Sequence, residues 1–391
     1  MVSSSSNGFS LGKLLRDERF WKIAFQVIVV AIVVGLFAFL IGNLSSNLAS
    51  QGIDFGFAFL SNQAGFSIGE SAVDYQPQDA YAKALFVGLV NTLVLVAAGI
   101  VLASLLGTTA GVASFSQNWL VYKISRAYVG LVRNVPLLLQ LFFWYFAVYG
   151  GLPQPAEQIG IGRLAFLNNR GIYLFWPENT PRAWIGLGLI VVAAIAAFFV
   201  WRSRIKAMVE RGEPGQTQLY TIGGIGAAAL VVLILGLGWR FPEGIEGGGV
   251  TGGMRLSREY VASLSALVFY TGAFIAEIVR AGIQSVSKGQ WEAARSVGFN
   301  NGLVMRLVVF PQAMRVIVPP LNSEFMNLAK NSSLAFAVAY PEIYAIANTT
   351  YNQTGRPVEV FLVLMATYLV INLLISLVMN QVNQAVQFKE R

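Results

Sequence analysis

The feature that most restricts this chain is a succession of apolar stretches, each about 20 residues long, separated by short polar segments; a stretch of that length crosses a hydrocarbon layer as a helix. They run from about Phe20 to Ile41, Ala84 to Leu106, Arg126 to Tyr149, Trp184 to Trp201, Leu219 to Trp239, Glu259 to Val279, Gln312 to Tyr340 and Val358 to Met379. With 55% hydrophobic and 12% charged residues among 391, there is too little polar surface to coat a soluble globule. In lipid every backbone polar group needs an internal partner, so the expected fold class is an all-α integral membrane protein with about eight transmembrane helices.

The net charge of +8 would suggest nucleic acid in a soluble protein. Here the basic residues occupy short loops, as orientation signals do, and no nucleic-acid partner is expected. With both termini on the cytoplasmic side, about 17 of the 27 Lys and Arg fall inside and about 8 outside, with Arg133 and Lys330 embedded. The first span follows the polar, basic residues 1 to 19, which carry Lys13, Arg16 and Arg19, and it reads as uncleaved. The loop from Asn43 to Lys83, with Asp54, Glu70, Asp74 and Asp79, reads as external, and the loop with Arg202, Arg204, Lys206 and Arg211 as cytoplasmic. There is no His and no Cys, so zinc sites, disulfides, thiol nucleophiles and histidine bases are excluded; no metal, cofactor or catalytic residue is expected. Phe241 to Gly253 is Gly-rich but lacks the Lys-Ser/Thr of a phosphate loop, and reads as a flexible linker without a preceding strand.

Between the sixth and seventh spans lies GQWEAARSVGFNNGLVMRLVVFP, Gly289 to Pro311. Glu292, Ala293 and Ala294 open a short helix that Gly298 breaks, and a second short helix, about Gly302 to Phe310, should be stopped by Pro311. The spacing of these five residues resembles the EAA loop of permease subunits of binding-protein-dependent ABC importers, which docks into a groove on the ATPase. Arg133 to Leu141, RNVPLLLQL, is similar to the Arg-Gly-Thr-Pro-Leu-Leu-Val-Gln-Leu signature of polar amino acid permeases, with Asn134 and Val135 in place of Gly-Thr. Lys330 to Ala335, KNSSLA, resembles a third signature of that family.

The resemblance covers about Leu85 to Gln387 and implies a type I importer permease core of five helices (MetI-like), here with an N-terminal helix and a two-helix insertion. On that reading residues 1–83 form the cytoplasmic N-terminus, first helix and external loop, and 84–387 the transmembrane domain, with 150–256 inserted and 283–311 as the coupling loop. It implies a multi-pass protein of the bacterial inner membrane. It also implies a cytoplasmic ATPase dimer, a second permease subunit, identical or homologous, and an external binding protein that delivers the substrate. Within the family the chain looks most like general L-amino acid importers that take glutamate, glutamine, aspartate, asparagine and similar amino acids. ATP hydrolysis would then reside on another subunit, in keeping with the lack of a Walker A motif here.

Two readings of other classes are weaker. A secondary transporter would need intramembrane carboxylates for ion coupling and would leave the elbow without a purpose, and a membrane enzyme would have almost no reactive groups. Physical periodicity adds one feature of its own. At about 100° per residue, Ser323, Glu324, Asn327, Lys330 and Asn331 share one face of the seventh span, which should turn away from lipid into the bundle. Glu324 and Lys330, roughly 9 Å apart along the axis, are poorly placed to pair with each other. They and Arg133, which needs a polar partner or a route to the interface, are candidates for the substrate path. Glu277 and Arg280 are three apart and should pair on one helix surface.

Overall fold

The computed structural model describes residues 18–50, 55–210, 214–245 and 249–387. Lys13, Arg16, Asp54 and Arg211, named above, lie outside them, as do Lys389 and Arg391. The chain divides into two units, residues 1–61 and 62–391. In the first, α1 (Glu18–Ser50) carries an apolar stretch, Phe20–Asn47, long enough to span. Its side chains are exposed along nearly its whole length, as suits a helix surrounded by lipid.

The second unit begins with residues folded against the start of α2 (Tyr81–Ala113) by a Gln63–Ala80 bridge. After it come α3 (Trp119–Arg133) and α4 (Leu137–Phe142), the latter continuing as a π turn through Tyr149. The sequence reads 126–149 as one span. Instead the two helices meet at a bend of 109°, because Pro136 cannot donate into a helix and keeps Val135 out of the helical region. Asn118 caps α3 by accepting from the backbone N–H of Leu120 at 2.9 Å.

Two outer segments then form small sheets around a helical hairpin. Strands β1 (Ile159–Ile161), β2 (Ala165–Asn168), β3 (Gly171–Leu174) and β4 (Trp176–Pro177) precede α5 (Pro181–Glu210) and α6 (Gln216–Val231). Strands β5 (Trp239–Arg240), β6 (Glu243–Ile245), β7 (Gly249–Thr251) and β8 (Met254–Ser257) follow. The expected flexible linker at 241–253 is therefore replaced by paired strands, one of them before it. β6 and β7 make an antiparallel hairpin, and β8 joins a four-stranded sheet in the order β1-β2-β3-β8. Trp176, Trp184 and Trp239, with Phe175 against Trp239 at 5.2 Å, gather at this end of the hairpin, where amphipathic rings settle at a membrane surface. α5 and α6 pack mainly on each other and are scarcely buried.

α7 (Arg258–Gln284) starts at Ser257, whose Oγ accepts from the N–H of Tyr260 at 3.0 Å. It packs along α2 more extensively than any other pair of helices. The approach is close because α2 presents Gly107 and Gly111: a methyl group at Gly107 would stand 2.6 Å from Ile275, and at Gly111 2.7 Å from Val279. Small residues four apart let two backbones meet in lipid, where packing rather than water exclusion holds helices together.

The rest is α8 (Lys288–Ser296), α9 (Asn301–Val304), a π turn Met305–Val309, α10 (Phe310–Asn331), a 3₁₀ turn Ser332–Val338, α11 (Ile343–Thr354) and α12 (Pro357–Val386). Among the described residues, seven helices are long and apolar enough to cross a membrane, or eight when α3 and α4 count as one broken span. Five crossings, α2, α3/α4, α7, α10 and α12, make up the packed bundle. Its two apolar clusters take the two halves of α7, one including Tyr260 to Leu267 and the other Ile275, Val279 and Ile283, and the latter extends from Val96 and Ile371 to Ala294, Val304 and Val309 of the elbow.

Candidate functional site

The elbow is built from both local and long-range contacts. α8 ends at Ser296, and Gly298 has φ +89°, a left-handed conformation that glycine adopts without cost. Asn300 then caps α9, its Oδ1 accepting from the N–H of Leu303 at 2.9 Å. Pro311 does not stop this second helix. It occupies the first turn of α10, and the preceding π turn, in which the Phe310 N–H bonds to Met305 O, lets the helix continue past the ring. Trp291, Ala294 and Phe299 pack inward against the bundle, and Gln312 donates to Gln290 Oε1 at 3.1 Å across the elbow. Glu292, Ala293 and Val297 face out, Val297 with 76% of its surface exposed. The elbow thus has a buried back, packed on the bundle, and an open front.

The break between α3 and α4 is satisfied by one side chain. Buried Gln140 donates both amide hydrogens, to Val132 O and to Val135 O, each at 2.9 Å. Val132 O also accepts from the N–H of Val135 at 3.4 Å, so it is the Val135 carbonyl, turned out of the helical ladder by the bend, that depends on Gln140, and an unpartnered carbonyl in this setting is expensive. Asn134 sits at φ −93°, so replacing glycine here forces no strain. Gln140→Leu should lower subunit stability by about 1–3 kcal/mol, the cost of leaving the Val135 carbonyl without a partner. Thermal unfolding in detergent measures this; an unchanged midpoint would mean that the carbonyl finds another partner.

The two sequence signatures meet in space. Leu137 and Leu141 of α4 line a tight crevice with Ser263 of α7 and with Asn331, Leu334 and Ala335 at the end of α10. Asn331 is thus half-buried between helices, whereas Ser323, Asn327 and Lys330 are exposed and Glu324 half-buried. The stripe does not turn into the bundle of a single chain. The inner side of α10 is already filled by Ile317, Phe325, Leu328 and Ala329, so the polar face lies on the open flank of the subunit. No ion pair joins Glu324 to Lys330 among the described residues.

Arg133 finds its partner in Glu277 of α7. Glu277 Oε1 accepts from Arg280 Nη2 at 2.6 Å and Nε at 3.1 Å, the pairing expected from the spacing. Its Oε2 lies 3.6 Å from Arg126 and 4.0 Å from Arg133. The Arg133 guanidinium also stands 5.1 Å over the ring of Phe274. These groups border an open cleft of about 330 Å³ between α3 and α7. Arg126 and Glu277 were not legible as site residues: they lie on helices 151 positions apart in sequence, and only the fold brings them together.

At the other end of α7, Glu70 accepts a hydrogen bond from the Ser257 hydroxyl, in a second cleft of about 280 Å³ that Arg255 and Glu259 border. Burial pushes the Glu70 carboxyl above its ordinary value, and the Ser257 hydrogen bond opposes this. Asn91 ties the same segment to the bundle, donating to Glu70 O and Pro341 O at 2.9 Å each. Among the described residues there is no group of three acidic, His or Cys side chains able to hold a metal ion.

Residues 259–388, from α7 through the elbow to the end of α12, match the description "Binding-protein-dependent transport system inner membrane component". The chain is 43% identical over 371 residues to the putative amino-acid ABC transporter permease protein YhdX of Escherichia coli (strain K12), covering 94% of each. It is 38% identical over 387 residues to the general L-amino acid transport system permease protein AapQ of Rhizobium johnstonii, covering 98% of this chain and 96% of the relative. It is likewise 38% identical over 418 residues to the glutamate/glutamine/aspartate/asparagine transport system permease protein BztB of Rhodobacter capsulatus, covering 98% of each. With relatives of this identity matched over nearly their whole length, the chain belongs to the binding-protein-dependent transport system inner membrane components, as an ABC transporter permease protein.

Proposed function

We propose that this permease forms half of the path by which polar L-amino acids, such as glutamate, glutamine, aspartate and asparagine, enter a bacterial cell, driven by ATP hydrolysis on separate subunits. The observation that carries this reading is the open polar flank of α10. Ser323, Asn327 and Lys330 would be costly against lipid, and a second permease subunit, identical or homologous, would cover them and enclose a hydrated route. Lys330 and Arg133 supply positive charge for a carboxylate, Glu324 negative charge for an ammonium, and Asn327 and Asn331 neutral hydrogen bonds. On the elbow, Glu292, Ala293 and Pro311 lie on the face offered to a cytoplasmic ATPase dimer, and buried Ala294 and the turn at Gly298 hold that face in place. An external binding protein would deliver substrate at the opposite end, and 150–256 is an insertion into the 84–387 transmembrane domain. The general L-amino acid and the glutamate/glutamine/aspartate/asparagine transport named for two of the relatives support the substrate class.

Reconstitution tests this. Liposomes holding the permease with its ATPase and partner permease should take up glutamate and glutamine only when ATP and the binding protein are supplied. Uptake by the permease alone, driven by an ion gradient, would establish a secondary transporter instead. Orientation has its own test, with both termini and the α5–α6 turn placed in the cytoplasm by their positive charge. A cysteine at Gln216 in this cysteine-free chain should escape an impermeant thiol reagent in intact cells and react after lysis; labelling in intact cells would invert the topology.

A further inference from the structure

We infer that the cleft between α3 and α7 is a carboxylate-binding station on the elbow side of the transport path, with Glu277 as a built-in competitor for the arriving anion. The inference rests on the reading of the chain as an amino acid permease.

Level along the bundle separates this station from Lys330. Glu277 is seven residues before the end of α7, about 10 Å from the elbow, whereas Lys330 lies near the far end of α10, about 30 Å beyond its start. Arg133 belongs to the level of Glu277 through its ion pair, and Glu324 lies six residues nearer the elbow than Lys330 on α10. A substrate leaving Lys330 for the elbow side would meet Glu324 and then Arg133.

Coordination in the cleft is incomplete in a particular way. Arg280 takes Oε1 in two hydrogen bonds, while Arg126 and Arg133 both face Oε2 from beyond hydrogen-bond distance and make no hydrogen bond to any described residue. Three guanidinium charges thus surround one carboxylate. Arg133, over the ring of Phe274, lines the cleft, and a planar fork of donors is suited to a carboxylate. The cleft, at about 330 Å³, exceeds what one or two ordered waters occupy.

A carboxylate entering here takes hydrogen bonds from Arg126 and Arg133 and displaces only the loosely held Oε2. Glu277 stays anchored by Arg280, and returns when the substrate leaves, so the arginines are never without a counter-charge. Because recognition falls on the group that all amino acids share, the station would not discriminate among side chains.

The opposed roles of arginine and glutamate give opposed expectations. Glutamine and its carboxamide analogue glutaminamide are compared by equilibrium binding to the assembled transporter, permeases with ATPase, in the absence of binding protein. Arg126→Gln should weaken glutamine binding about tenfold and leave glutaminamide unchanged. Glu277→Gln should tighten glutamine binding several-fold, which a merely structural ion pair would not do. Should Arg126→Gln impair assembly, Arg126→Lys keeps the charge without the fork, and should weaken glutamine by a smaller factor. Unchanged or weaker glutamine binding in assembled Glu277→Gln, or equal losses for glutamine and glutaminamide in Arg126→Gln, would overturn the station. A wild-type complex with ATP-driven amino acid uptake but with those results loses only this assignment, whereas a complex without amino acid uptake loses the underlying reading.

Discussion

Gly298→Val should reduce ATP-dependent amino acid uptake by tenfold or more in the reconstituted transporter. Space is not the reason, since a Cβ at Gly298 meets nothing within 4 Å. The reason is the backbone: φ is +89°, and a β-branched residue held there costs on the order of 1–3 kcal/mol. The chain relieves that strain by rotating α8 against α9. Because Ala294 and Phe299 are packed into the bundle on either side of the turn, the rotation swings Glu292, Ala293 and Val297 away from their positions on the open face. Stimulation of the ATPase by loaded binding protein should fall together with uptake. Asn, which tolerates left-handed backbone, should keep most of both activities at this position. Wild-type uptake and normal ATPase stimulation in the valine variant would show that the elbow only stabilises the subunit.

Lys330→Met should weaken the apparent affinity of the assembled importer for glutamate and glutamine at least tenfold, the effect of losing one charge-assisted hydrogen bond of about 1.5–3 kcal/mol. Methionine keeps the unbranched length and the apolar stem. Lys330 also stands in the last turn of α10, where a cation favours the helix C-terminus, so a structural contribution of about 0.3–1 kcal/mol accompanies the change. Lys330→Arg separates the two effects: it preserves the charge at the terminus, and any loss of affinity it shows comes from ligand geometry. Unchanged affinity and rate in Lys330→Met would place the carboxylate elsewhere along the path.

The spans were legible because their length and composition are properties of contiguous sequence. The proline at 136 was visible too, but a bend of 109° also depends on Gln140 satisfying Val132 O and Val135 O, a pairing that carries no periodic signal. Pro311 misled because the same residue ends one helix or begins another, and the π turn at Met305–Val309 decides which. The polar face of α10 was evident from its 3.6-residue period. Which flank of the bundle stayed open was not, since that depends on how α2, α7 and α12 fill the other side. Likewise Glu277 and Arg280 were readable at three-residue spacing, while Arg126 and Arg133 reach Glu277 only through tertiary packing. The short strands were hidden because β3 and β8 are separated by an entire helical hairpin.

That last pairing bears on how such a chain can change over evolutionary time. Leu174 and Met254 are register partners on adjacent strands, which places their Cα atoms about 5 Å apart. The polypeptide therefore departs from the bundle and rejoins it at nearly the same point, and everything from Phe175 to Gly253 hangs from one closed seam. A segment attached in this manner can lengthen, shrink, or be exchanged for a tight turn without altering the separation that α4 and α7 must span. Natural selection can treat it as a detachable module, free to acquire contacts of its own while the conduit beside it keeps its dimensions.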